Sequence, residues 1–290
     1  MASTIPFRRV AIVGTGLIGG SFALALRKQF PPISLVGFSR SNSASRAVKL
    51  GAVDEAAPDI SSAVRGADLV YVAAPIGASI EALSAIAKAA EPHALVTDAG
   101  STKSAICRAA KEHFRGGALF LGGHPMAGKE QSGIEQADAE LFRGAPYVLM
   151  GVEATADPRA KQLEEVVRAI GARPVWSDPD THDWAVGIVS HLPQLVAVAL
   201  ARVVQDETDE TGLPLSFAGP GLQDTLRLAG SPYSVWRDIL LTNTDNVSRA
   251  LDRLAQAIDY LRTHLAAKEL EQEFAGANDL YKILRRPSQQ

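Results

Sequence analysis

The residues of this chain best placed to do chemistry lie in Gly122-Gly123-His124-Pro125-Met126-Ala127-Gly128, where a single imidazole stands between glycines and a proline directly after an apolar run. Pro125 removes a backbone donor and biases His124 toward extended backbone, and the flanking glycines let another molecule come close. An imidazole titrates near neutrality, so one held stiffly beside a ligand can accept or return a proton at working pH. The same histidine could simply cap a turn at a strand end. What the fold brings next to it decides between these readings.

A second constellation opens the chain. Gly14-Thr15-Gly16-Leu17-Ile18-Gly19 follows the apolar run Val10-Ala11-Ile12-Val13 and starts a helical pattern through Phe22, Ala23, Leu24 and Leu26. Strand, tight turn and helix are the context that a dinucleotide fingerprint requires. Gly14 is expected to make the turn, Gly16 to let a pyrophosphate approach and Gly19 to pack helix on strand, while the N–H groups around Leu17 and Ile18 face the phosphates. An NAD site usually carries an acid about 20 residues further on. This chain has Ser39, Arg40 and Ser41. Two hydroxyls and a guanidinium can hold a ribose phosphate that a carboxylate would repel, so NADP is expected in preference to NAD. Arg40 stacked on adenine would instead serve either cofactor. Ala74-Pro75, ending the third apolar run, is expected to wall the same cleft.

Thr97-Asp98-Ala99-Gly100-Ser101-Thr102-Lys103 closes the fourth run and starts another helix. That spacing puts Ser101 at a helix N-cap beside the carboxyl edge of the sheet, where ligands of open α/β sheets collect. Serine caps helices everywhere, and Asp98 and Lys103 read equally well as turn and first-turn residues.

The elements that must position these groups follow from the hydrophobic pattern. Val10–Val13, Ile33–Phe38, Leu69–Ala73 and Leu95–Thr97 alternate with helical stretches, and runs at Leu119–Gly122, Tyr147–Met150 and Arg173–Trp176 extend the series. This is βαβ rhythm, and it predicts an α/β fold: a Rossmann-type, doubly wound, mainly parallel sheet domain. After Ser177-Asp178-Pro179-Asp180 only helical patterns remain, so residues 1–178 are expected to bind the dinucleotide and residues 179–290 to form an all-helical substrate and dimerisation domain. Val247, Leu251, Leu254, Ile258, Leu261 and Leu265 recur at spacings of four and three, a seam that predicts a homodimer through the C-terminal helices. The residues from Arg285 onward read as a frayed tail.

Composition narrows the class. Of 290 residues, 47% are hydrophobic and 21% charged, the balance of a folded soluble chain, and the net charge of −3 provides no basic face for nucleic acid. Cys107 is the single cysteine, which excludes an intrachain disulfide and a thiolate metal cluster, and no metal site is expected. Met1–Phe7 is too short for a signal peptide, so a cytoplasmic location is expected. Trp184–Ala201 runs 18 residues without a charge, close to a membrane span in length. It contains Ser190, His191, Pro193 and Gln194, so a buried, proline-kinked helix is expected instead of a membrane segment.

Taken together, Gly16-Leu17-Ile18-Gly19-Gly20-Ser21, Asp98-Ala99-Gly100-Ser101-Thr102-Lys103, His124-Pro125-Met126-Ala127-Gly128, Ser190-His191-Leu192-Pro193 and Thr225-Leu226-Arg227-Leu228-Ala229 resemble the prephenate/arogenate dehydrogenase family of tyrosine biosynthesis, from about Arg9 to about Leu265. The resemblance implies oxidative decarboxylation of a cyclohexadienol, with hydride passing to a nicotinamide and the ring carboxylate leaving as carbon dioxide. It makes His124 the acceptor of the ring hydroxyl proton, assisted by Ser101, and Arg227 the holder of the leaving carboxylate. It also places His191 on the substrate side. Asp224, one helical turn earlier, could orient Arg227, and Trp236 could wall the pocket, although a surface acid and a core aromatic would read the same way. Prephenate-using relatives commonly carry His-Leu-Pro-His, where this chain has Gln194. A neutral glutamine can accept from the ammonium of arogenate as well as donate to a carboxylate. With the Ser39-Arg40 signature, this points to arogenate and NADP, with prephenate or dual use, and NAD, as the alternative. Other two-domain reductases and a non-catalytic NADP sensor share the glycine fingerprint but not these reaction groups.

Overall fold

The computed structural model describes residues 7–129, 131–151 and 156–285. Strands β1 (Arg9–Val13), β2 (Ser34–Phe38), β3 (Glu55–Ala56), β4 (Leu69–Val72), β5 (Leu95–Asp98) and β6 (Leu119–Leu121) form one sheet in the order β3-β2-β1-β4-β5-β6, every pair parallel. Helices α1 (Leu17–Gln29), α2 (Ser43–Lys49), α3 (Ile60–Val64), α4 (Ile76–Ala89) and α5 (Ser104–His113) make the crossovers. The reversal of strand order between β1 and β4 is the switch point at which such sheets bind ligands. Both faces are covered, so the strands are apolar on both sides. Val10, Ile12, Leu69 and Tyr71 pack with Phe22 and Leu26 of α1, whereas Ala11, Val13, Val70 and Val72 pack with Ala63, Val64, Ala82 and Ile86.

The parallel series stops at β6, earlier than the pattern predicts. β7 (Gly123–Pro125), β8 (Pro146–Met150) and β9 (Arg173–Ser177) form a separate three-stranded sheet in which β7 runs antiparallel to β8, with α6 (Pro158–Ala169) between β8 and β9. The break lies at Gly122-Gly123. A Cβ on Gly123 would sit 2.7 Å from the Asp98 carbonyl oxygen, so only glycine lets the chain cross β5 this closely and turn into a new sheet. His124 is accordingly the middle residue of a strand, opposite Val148, rather than a strand-end or turn residue.

Asp178 begins the helical part by accepting the Asp180 and Thr181 N–H groups at the start of α7 (Pro179–Val186). A π turn at Gly187–His191 joins α7 to α8 (Leu192–Asp206). Pro193 has no N–H to return to Val189, and the widened turn absorbs that loss. Then follow α9 (Leu213–Ser216), α10 (Pro220–Leu226), α11 (Tyr233–Thr242), α12 (Thr244–Thr263) and α13 (Leu270–Arg285). The continuous Pro179–Asp206 helix is long and apolar enough to cross a membrane, but only 28% of its most apolar window is buried within the chain, which corrects the expectation of a buried helix. Trp184, Val189 and Val203 are exposed on it, and Ile258, Leu261 and Leu265 of the expected seam are exposed at and just beyond α12. Residues 286–290 of the expected tail lie outside the described residues.

Candidate active site

A cavity of about 460 Å³ lies where the two halves meet, lined by Ser101, His124, Met126, Lys129, His191, Arg227 and Trp236 among others. The halves are joined beside it by the Gly77 N–H donating to Asp238 Oδ2 (3.0 Å), by the Thr102 and Thr242 hydroxyls (2.7 Å) and by contact among Ile76, Ile106 and Ile239. His124, Ser101, Arg227, His191 and Trp236, drawn from both halves, thus reach one space. Gln194 does not line it: its side chain is buried in the first turns of α8. Asp224 is exposed on α10, also off the cavity wall.

The site is framed by a buried charge cluster. Lys103, fully buried, donates to the Asp98 carboxylate and, at 2.8 Å, to the Gly123 carbonyl. Asp98 also accepts the Gly100 N–H (2.8 Å) and the Gly123 N–H (3.2 Å). The pair is a pin that fastens β7, and with it His124, to the end of β5. Ser101 is not the N-cap: α5 begins at Ser104, and the acid serving its first N–H groups comes from the other half of the chain. Asp183 on α7 accepts Lys103 N–H (2.7 Å) and Ser104 N–H (2.9 Å). Sequence spacing alone cannot show a cap supplied from 80 residues away.

His182 stands between Asp183 and the cavity. Its Nδ1 is 2.8 Å from Asp183 Oδ1 and its Nε2 is 2.8 Å from His124 Nδ1. Asn243 Nδ2 contacts the Asp183 carbonyl (2.7 Å) and His191 Nδ1 (3.1 Å), and the His191 ring meets Trp236 edge-on. Burial, then His182, Lys103 and His191, hold His124 well below the usual histidine range. Burial pushes His191 down to about 4 against the pull of Asp183. Burial would raise Asp183, but bonds from His182, Ser104 and Lys103 outweigh it and keep its carboxylate low. Two neutral imidazoles therefore face one cavity at working pH. His182, Asp183 and Asn243 belong to no motif legible in the sequence, although the adjacent His-Asp pair in α7, ahead of the apolar Trp184–Val189 run, was a usable signal.

The glycine turn has the shape a dinucleotide needs. Gly14 has φ +102°, and a Cβ there would lie 2.5 Å from Ala73 O; one on Gly19 would lie 1.9 Å from Gly14 O. A Cβ on Gly16 would meet nothing within 4 Å, so the space beside the second glycine is open. Gly16, Leu17, Ile18 and Gly19 form the uncapped N-terminus of α1, with no acid in its first turn. These features fit an anionic pyrophosphate. Ser39, Arg40, Ser41, Ala74 and Pro75 line an adjoining cavity of about 310 Å³ with Gly14. Arg40 is not idle there: its guanidinium pairs with Glu81 of α4 at 2.7 Å.

Residues 22–176 match the nucleotide-binding domain of prephenate dehydrogenase, and residues 178–285 match its dimerization domain. The chain belongs to the prephenate dehydrogenase family. It is 34% identical over 267 residues to the prephenate dehydrogenase of Bacillus subtilis, covering 91% of this chain and 72% of that one. Among solved structures it is similar to the prephenate dehydrogenase of A. aeolicus in complex with hydroxyphenyl propionate and NAD+ (TM-score 0.86, 30% identity, 98% of this chain and 99% of that one). It is also similar to the arogenate dehydrogenase of Synechocystis (TM-score 0.79, 32% identity, 94% and 99%). Membership places the chain among NAD(P)-dependent oxidoreductases of aromatic amino acid biosynthesis.

Proposed function

We propose that this protein oxidatively decarboxylates prephenate in the 460 Å³ cavity, using the dinucleotide cleft beside it. The observation that carries the reading is the meeting of His124, Ser101 and Arg227 in one space at the sheet's carboxyl edge. A bound nicotinamide supplies the hydride acceptor, held by Gly14, Gly16, Leu17, Ile18 and Gly19, with Ser39, Arg40, Ser41, Ala74 and Pro75 on the adenosine side. His124 takes the ring hydroxyl proton as carbonyl character grows, and Ser101 shares that hydrogen bond. Arg227 holds the ring carboxylate until it leaves as carbon dioxide. Aromatisation then leaves a phenolate oxygen, and His124 returns the proton to it, so no proton is gained or lost overall. Trp236 and His191 wall the ring.

Prephenate is preferred here to the arogenate expected from the sequence. The buried position of Gln194 removes the main reason for favouring an ammonium, and the relatives that cover most of the chain include prephenate dehydrogenases. Arogenate with NADP is the second reading, supported by the likeness to the Synechocystis arogenate dehydrogenase and by Ser39, Arg40 and Ser41 in the cleft. Its phosphate site requires Arg40 to leave Glu81. Catalytic efficiency measured for prephenate and arogenate, each with NAD and NADP, separates the readings: the first predicts higher values with prephenate, the second with arogenate and NADP. The exposed apolar faces of α8, α12 and α13 support a homodimer formed through the C-terminal helices.

A further inference from the structure

A neutral imidazole carries one ring N–H and one lone pair, and its partners decide which nitrogen has which. Asp183 is the fixed end of a chain of such decisions. Its carboxylate accepts two backbone N–H groups and can only accept, so His182 Nδ1, 2.8 Å from it, carries a hydrogen. A His182 ring whose single hydrogen faces Asp183 keeps its lone pair on Nε2, which makes His124 Nδ1 the donor across 2.8 Å. The lone pair of His124 is left on Nε2, which has no protein partner among the described residues.

The second imidazole is wired the other way. A backbone carbonyl can only accept, so the Asn243 group facing Asp183 O is the amide NH₂, and Asn243 Oδ1 accepts from Asn246 Nδ2 (2.7 Å). The remaining hydrogen of the same NH₂ points to His191 Nδ1, which must therefore accept. The ring hydrogen of His191 is then on Nε2.

We propose that His182 and Asn243 are positioning residues that set the two cavity imidazoles in opposite tautomers, His124 with an accepting Nε2 and His191 with a donating Nε2. This deepens the proposed function and rests on its reading of His124 as the proton acceptor. Only one tautomer of a neutral histidine can take the hydroxyl proton at the nitrogen left free of the protein, and the wrong one in an otherwise intact site is severely inactive. The opposing His191 Nε2–H gives the same cavity an uncharged donor in addition to the Arg227 guanidinium, suited to a carbonyl oxygen or a carboxylate.

Nitrogen-15 NMR of the histidine-labelled full chain, with long-range nitrogen–proton correlation near neutral pH, reads the ring nitrogens directly. Single His→Gln variants at the other positions provide the assignments. The expected spectrum shows His124 Nε2 and His191 Nδ1 unprotonated, and His124 Nδ1 and His191 Nε2 protonated. In His182→Phe, His124 should move toward the Nε2–H form, and turnover should fall about 100-fold with dinucleotide affinity unchanged. His182→Gln can donate to Asp183 and accept from His124, and so should restore both the tautomer and most of the turnover. A hydrogen on His124 Nε2 in the native protein, a doubly protonated His182, or a glutamine variant no better than phenylalanine at equal thermal stability would each overturn the proposal. The tautomers are read without substrate. An inactive protein that shows them would therefore refute the proposed activity and leave this assignment standing.

Discussion

Replacing Lys103 by methionine removes the ammonium of a pair that is wholly out of water and leaves the Asp98 carboxylate facing only the N–H groups of Gly100 and Gly123. Breaking a buried pair by deleting one partner costs about 3–5 kcal/mol, a large part of the roughly 5–15 kcal/mol that holds a typical protein folded. Asp98→Asn should cost a similar amount, because it strands the ammonium. The double substitution removes both charges at once, so it should fall short of the sum of the singles by about 2–3 kcal/mol. Urea unfolding at neutral pH, followed by circular dichroism, gives all four values. The lysine change also releases the Gly123 carbonyl, so activity should drop by more than the folded fraction does. If both single variants lost less than about 1 kcal/mol, or the double variant equalled their sum, the pin that fastens β7 to β5 would not exist as described.

Acid should act on stability and rate alike. His124 and His191 are held neutral by burial, so below pH 6.5 the unfolded chain binds protons that the folded chain refuses. Stability present above pH 6.5 is therefore lost as pH falls toward about 4, by about 3 kcal/mol from His191 alone, measurable as a falling denaturation midpoint. The rate should hold its plateau to lower pH than an ordinary histidine allows, since His124 stays an acceptor there. Gly16→Ala should leave thermal stability within about 0.5 kcal/mol yet weaken dinucleotide binding at least tenfold, whereas Gly19→Ala should destabilise the chain outright, because its Cβ would lie 1.9 Å from Gly14 O. Ile258→Asp, placed on the exposed α12 face, should convert a dimer to monomer in analytical ultracentrifugation without altering the circular dichroism of the monomer.

The parallel sheet was legible in the sequence because a strand buried on both faces needs an unbroken apolar run, as in Val10–Val13 and Leu69–Val72. The glycine turn was legible because its demands are local: a positive φ at Gly14 and no room for a side chain at Gly19. His124, Ser101 and Arg227 could be nominated by type and motif. What stayed hidden was nonlocal. The sheet break at Gly123 depends on the distance to Asp98, the cap of α5 comes from Asp183, and Gln194 turns out to be buried. The Trp184–Ala201 stretch misled for the opposite reason. Its apolar residues are not all packed in the chain's own core, and an apolar helix face left exposed has the same composition as a buried one.

In the proposed reaction His124 handles the proton of a cyclohexadienol while a separate cleft holds the dinucleotide. The decisive variant is His124→Asn, with turnover of prephenate and arogenate followed by reduced-nicotinamide absorbance and dinucleotide affinity measured in parallel. The expected result is a loss of turnover on the order of 10²–10⁴-fold with dinucleotide affinity within about twofold of the native protein. Native turnover in the variant, or a native protein that oxidises neither substrate with either dinucleotide, would refute that role for His124.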